Sequence, residues 1–137
     1  MMNQIDAFLN KNNVFAVVGV SRNPSKFGYI IYQDLKRKGY KVFPINPNAK
    51  MINGDKAYAY LSELPIQPDV VDIVVPSKVA LDVVNECYEL GIQKVWLQPG
   101  AESDKVIDFC YDHDIEVIYG MCVMVESSNV GTAMRHK

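Results

Sequence analysis

The stretch VFAVVGVSRNPSKFGY, Val14 to Tyr29, decides the fold. Five apolar, largely β-branched residues (Val14, Phe15, Ala16, Val17, Val18) stop abruptly at Gly19, as a buried strand does at a turn. A polar loop follows with Ser21, Arg22, Asn23, Pro24, Ser25 and Lys26; then Phe27, Ile30, Ile31 and Leu35 recur at helical spacing. A strand, a small-residue loop and a helix start together make an anion site. The first helical turn leaves backbone N–H groups free and carries partial positive charge. Gly19 admits close backbone approach, Ser21 offers a hydroxyl and Lys26 adds a full charge. The dinucleotide fingerprint requires glycine at its first, third and sixth positions. Here those positions hold Gly19, Ser21 and Pro24, with Gly28 arriving later. The pattern predicts a phosphate cradle, with a ligand-free β–α turn as the plain alternative.

Outward from that unit, strands alternate with helices. Ile5, Phe8 and Leu9 predict a short amphipathic helix before the first strand. The crossover helix ends at Gly39, after the basic run Lys36 to Lys38 that suits a helix C-terminus. A second strand, Tyr40 to Ile45, contains Pro44, where regular pairing is expected to fail. Gly54 predicts a turn, Ala57 to Tyr60 a short extended piece, and Ser62 to Pro65 a helical turn. The third strand, Val70 to Val75, stops at Pro76-Ser77, with Ser77 as a helix N-cap. The next helix is expected to bury Val79, Ala80, Val83, Val84, Cys87 and Tyr88, and to turn Asp82, Asn85, Glu86 and Glu89 outward. Lys94 to Leu97 and Ile115 to Tyr119 complete the strands, separated by a helix over Ser103 to Asp112. Beyond Met121 the pattern is irregular or weakly helical, with Asn129, Gly131 and Thr132 as breakers.

These elements predict an α/β, three-layer Rossmann-like architecture: a parallel sheet of about five strands in the order 3-2-1-4-5, helices on both faces. Ligands in such sheets bind outside the C-terminal strand ends, where the strand order reverses. The loops gathered there are Gly19 to Lys26, Asn46 to Asn48, Pro76-Ser77, Gln98 to Ala101 and Gly120 to Cys122.

Composition narrows the function classes. A chain of 137 residues, 49% hydrophobic and 22% charged, suits one globular domain over 1–137. Net charge −2 without a Lys/Arg stripe argues against nucleic acid, so any basic function is local to Arg22 and Lys26. No apolar run reaches membrane-spanning or signal-peptide character. Three cysteines (Cys87, Cys110, Cys122) without C-x-x-C spacing fit a reducing, cytoplasmic setting, and no metal site is expected. Neither His113 nor His136 stands in a partner position for a serine nucleophile, so no catalytic constellation is expected.

The end of the second strand tests the nucleotide. NAD-binding domains place an acid there for the ribose diol. This chain has Ile45, Asn46 and Pro47. The motifs VVGVSRNPSKFGY, KVFPINP, VDIVVPS and KVWLQPGA, in that order, resemble the stand-alone coenzyme A-binding proteins. These are similar to the N-terminal domain of the succinyl-CoA synthetase α subunit and of ADP-forming acyl-CoA synthetases. The resemblance spans about Ile5 to Glu126. It implies that Gly19, Ser21, Lys26 and the loop amides meet the pyrophosphate of coenzyme A, with Val20, Arg22, Phe27 and Gly28 also among the cofactor-binding residues. It further implies that Asn46 and Pro47 line the adenosine side, that Val75, Pro76 and Ser77 border nucleotide and pantetheine, and that Gln98, Pro99 and Gly100 complete the crevice. Lys41 or Lys50 is set against the 3′-phosphate, with solvated surface lysine as the alternative. Cys122, at the mouth, either exchanges with the cofactor thiol or is a small buried apolar residue. The chain ends where the synthetases' phosphohistidine domain would begin, so complete acyl-CoA synthesis is not expected. The leading expectation is a non-catalytic carrier, sensor or accessory module for coenzyme A or an acyl-CoA, with a homodimer or protein partner open. The alternatives are an NAD(P)-dependent oxidoreductase and a subunit of a split acyl-CoA synthetase.

Overall fold

The computed structural model describes residues 3–135; His136 lies outside them. In chain order the elements are α1 (Gln4–Phe8), β1 (Val14–Val18), α2 (Phe27–Arg37), β2 (Lys41–Ile45), β3 (Met51–Ile52), β4 (Asp55–Lys56), a 3-10 turn (Leu61–Glu63), β5 (Val70–Ile73), α3 (Ser77–Leu90), β6 (Lys94–Leu97), α4 (Asp104–Asp112), β7 (Glu116–Ile118) and α5 (Val123–Arg135). Five of the strands form one parallel sheet, and β3 and β4 form a hairpin. The α/β Rossmann-like class is as expected.

Strand alternation divides the core into two layers. Ala16, Val18, Val71, Ile73, Val95 and Leu97 pack with α3, α4 and Leu61. Phe15, Val17, Val70, Trp96 and Ile118 pack with α1, α2, α5 and the hairpin. Each strand thus supplies side chains alternately to both faces, which is why the central strands are apolar along their length.

The strand order corrects the expected 3-2-1-4-5. It runs β2-β1-β5-β6-β7, so β1 has β2 on one side and β5 on the other. Counting sheet strands alone, this is 2-1-3-4-5, the other common doubly wound order. The physical reason lies in β2 itself. Its Lys41 is exposed and Val42 and Phe43 are half-buried, whereas all four residues of β5 are buried. Proline also belongs on an edge. Pro44 stays in register opposite Val17, so pairing does not fail there. Its carbonyl accepts from Tyr58 N–H at 3.0 Å on the outer side, where the missing N–H also points. The reversal point therefore falls between β1 and β5.

Two helices differ from expectation. Gly131 and Thr132 do not break α5, which runs for 13 residues. In α3, Val79 and Tyr88 are 46% and 52% exposed rather than buried. Ser77 is the first residue of α3 rather than its cap; Pro76 takes the cap position with no side-chain bond. Ser103 does cap α4, accepting from Val106 N–H at 3.3 Å. No helix among the described residues is long and apolar enough to cross a membrane.

Candidate functional site

Gly19 ends β1 with φ +101°, a conformation that glycine adopts freely. A Cβ there would lie 2.4 Å from the Val74 carbonyl oxygen and 2.8 Å from Val75 Cγ1, so the ends of β1 and β5 close on one another at this point. Gly28, in the first turn of α2, is as tightly held: its Cβ would meet the Gly19 carbonyl oxygen at 2.1 Å. Gly28 does for this chain what the third glycine of the dinucleotide fingerprint does, letting helix and strand end touch. It does so with a longer loop between them.

That loop is internally bonded. Ser21 Oγ accepts from Asn23 N–H at 3.0 Å, and Asn23 Oδ1 accepts from Ser25 N–H and Oγ–H. The amides of Gly19 and Val20 both donate to the Ile45 carbonyl, at 3.1 and 3.3 Å, and so face β2 rather than a ligand. The donors left for an anion lie further on. Lys26, the N-cap of α2, makes no side-chain bond to the helix, which leaves the amides of its first turn open. Arg22, Lys26 and Phe27 are exposed beside them. Asn46 pins the neighbouring loop: its Nδ2–H donates to the Val20 carbonyl at 2.8 Å, and its Oδ1 accepts from Asn48 N–H at 2.7 Å.

Two cavities open at this end of the sheet. The larger, about 550 Å³, has Val18, Gly19, Val20 and Ser21 on one side, Ile45, Asn46 and Pro47 on another, and Val75 between. It extends past Ala59 and Tyr60 along α3, reaching Val79, Asp82, Val83, Glu86 and Glu89. The smaller, about 270 Å³, is bounded by Val74, Val75, Pro76, Pro99, Gly100 and Ala101. Val75 borders both, so together they form one crevice over the β1–β5 reversal. The larger falls in the usual range for small-molecule sites.

Most of the expected residues meet here, and some do not. Gly19, Val20, Ser21, Asn46, Pro47 and Val75 line the larger cavity, while Val75, Pro76, Pro99 and Gly100 line the smaller. Ser77 borders a separate cleft with Lys78, Leu81, Ser103, Asp104 and Lys105. Gln98 is buried and lines neither cavity: its Oε1 accepts from Val123 N–H at 2.9 Å, and its Nε2–H donates to Cys122 Sγ at 3.3 Å. With Trp96, whose Nε1–H donates to the Met121 carbonyl at 2.9 Å, it fastens the turn before α5 to β6. Cys122 is partly buried there and borders neither cavity. Lys41 opens β2 at the end of the strand opposite Ile45, away from the crevice. The α3 residues and Tyr60 are what the sequence reading missed. Their signal is a stripe at positions 79, 82, 83, 86 and 89, whose three- and four-residue steps place it on one helix face.

Comparison with known proteins gives the family and the fold. A CoA binding domain family model matches residues 13–128. The α subunit of an ADP-forming acetate–CoA ligase (II) from Pyrococcus furiosus is 29% identical over 136 residues; the match covers 91% of this chain and 30% of that protein. The chain thus spans about a third of that relative's length. The Bacillus subtilis protein YneT is 25% identical, with coverage of 89% and 90% of the two chains. A solved structure of a conserved hypothetical protein from Pyrococcus furiosus superposes with a TM-score of 0.80 at 46% identity, covering 83% of this chain and 98% of that one. By the match over residues 13–128, the chain belongs to the CoA binding domain family.

Proposed function

We propose that this protein binds coenzyme A or an acyl-CoA in the double crevice and serves as a non-catalytic carrier, sensor or accessory module. The observation that carries the proposal is the crevice itself: a nucleotide-sized cavity at the β1–β5 reversal, beside an uncapped helix start, in a chain of the CoA binding domain family. The pyrophosphate is assigned to the first-turn amides of α2 with Ser21, Arg22, Lys26 and Phe27, over the Gly19–Gly28 contact. Asn46 and Pro47 flank the nucleoside, and the pantetheine arm runs over Val75 toward Pro76, Pro99 and Gly100. Gln98 and Cys122 act from beneath, by holding the turn before α5.

Thermal denaturation with coenzyme A tests the proposal. A ligand that binds only the folded chain at a hundred times its Kd adds about 2.7 kcal/mol of stability. An unchanged midpoint at saturating coenzyme A overturns the proposal. NADH in the same assay is expected to leave the midpoint unmoved, because no acid stands at the end of β2 and the Asn46 side chain is already engaged. A second reading, a subunit of a split acyl-CoA synthetase, draws support from the relative described as a subunit α. It predicts co-purification with an ATP-grasp partner.

A further inference from the structure

Asp72 lines neither half of the crevice and has no partner in the core. It is 0% exposed in a central strand of the sheet, and neither carboxyl oxygen has a hydrogen-bond partner among the described residues. Strand alternation puts it in the layer of Val70 and Val74, under α1, α2 and α5, since Val71 and Ile73 on either side belong to the other layer. Its neighbours in register are Val17 on β1 and Trp96 on β6. Val17 has no side-chain donor to offer; Trp96 has one, the indole N–H.

That N–H is already engaged. It donates to the Met121 carbonyl at 2.9 Å, in the turn that leads into α5. Gln98 holds the same turn at Cys122 and Val123, and Lys38 donates to the Met124 carbonyl at 2.8 Å one residue further. The titratable groups on the covering elements have other partners or stand half-buried. Tyr32 of α2 donates to Asp55, Asp34 of α2 pairs with Arg37 and Lys38, and Tyr40 donates to the Leu9 carbonyl. Asp6 of α1, Tyr29 of α2 and Glu126 of α5 are half-buried. Burial is what holds the Asp72 carboxyl well above the ordinary range. A carboxyl in such a place is carried at least cost as the neutral acid; once ionised it demands a donor.

We infer that Asp72 and Trp96 form a pH-operated latch on the start of α5. With Asp72 neutral, the indole stays on the Met121 carbonyl and the turn is closed. Loss of the Asp72 proton to solvent leaves a charged acceptor beside the indole. A bond to a carboxylate is roughly twice as strong as one to a neutral carbonyl, so the N–H leaves Met121 for Asp72. The Met121 carbonyl is released and the first turn of α5 loosens. The latch operates whatever the crevice binds.

Trp96 is the only tryptophan, so a single indole N–H resonance reports on the latch. Its chemical shift and the hydrogen-exchange protection of the first turns of α5 are followed from pH 5 to pH 9 in wild type, Asp72→Asn and Trp96→Phe. In wild type the indole proton is expected to move downfield in one single-proton step. Over the same step, protection at the start of α5 should fall about tenfold relative to α3, the size of one lost neutral hydrogen bond. Asp72→Asn keeps the shape but cannot ionise, so both readouts should stay flat. Trp96→Phe keeps an aromatic ring without the N–H and should leave the start of α5 loose at every pH. The inference is overturned if wild type shows no step, or if the indole moves while α5 keeps its protection. It is equally overturned if the step persists in Asp72→Asn, which assigns it to another group such as Cys122, or if Trp96→Phe protects α5 at low pH as well as wild type does.

Discussion

A Cβ on Gly28 would sit 2.1 Å from the Gly19 carbonyl oxygen, a backbone atom in a strand end that cannot yield without moving the sheet. Gly28→Ala is therefore expected to destabilise the protein by about 1–3 kcal/mol, read as a lowered urea midpoint at unchanged slope. Asp72 is the second residue with a measurable signature. It is fully buried on β5 between Val17 and Trp96, and neither carboxylate oxygen has a hydrogen-bond partner among the described residues. Burial pushes its carboxyl well above the usual range. Below that range Asp72 is neutral in both the folded and unfolded chains and costs nothing extra. Above it the unfolded chain ionises first, so stability falls by up to about 1.4 kcal/mol per pH unit until the folded group ionises too. Asp72→Asn removes that slope, and its stability advantage over the parent should grow from pH 4.5 to pH 7.5 in parallel urea titrations. Asp55 acts with the opposite sign. Hydrogen bonds from Lys36, then from Tyr32, hold its carboxyl below the ordinary value, so its contribution is present at neutral pH and lost as pH falls.

At the scale of elements, Gln98 joins β6 to the start of α5 by two side-chain bonds from a buried position. Truncation to Ala leaves the Val123 amide buried without its acceptor, at a cost of about 1–3 kcal/mol. Hydrogen exchange should then speed up in the first turns of α5 more than in α3 or α4. Cryptic elements and legible ones differ in kind here. The turn after β1 at Gly19 and the end of α2 before Gly39 follow from local chemistry and were readable in the chain. The helicity of α5 through Gly131 was not, because residue propensities there are weak and Val123 gains its burial from Phe8, Trp96 and Ile118, which lie far away in sequence. Val79 and Tyr88 of α3 are apolar by residue type but face outward, and one of them borders the cavity.

At the scale of the whole molecule, the charge layout matters more than the net charge of −2. Ser21, next to the exposed Arg22, lines one end of the larger cavity and Asp82, Glu86 and Glu89 line the other, while Lys26 is exposed at the start of α2. Lys26→Glu is expected to weaken coenzyme A binding by roughly tenfold at low salt, and by less as salt screens the site. Its melting temperature without ligand should stay unchanged, since Lys26 is exposed; equal affinities would remove it from the site. The alternation of strands and helices, the parallel sheet and the turn at Gly19 were set by the chain alone, because hydrophobic period, turn residues and helix starts are properties of a few neighbouring residues. The strand order was decided only in three dimensions. It depends on which strand can take the edge of the sheet: Pro44 suits β2 to that place, and the fully buried β5 pairs with the other side of β1. The same non-local pairing moved the crevice to the β1–β5 junction and brought Tyr60 and α3 to its wall, contacts between segments whose sequence separation no local pattern records.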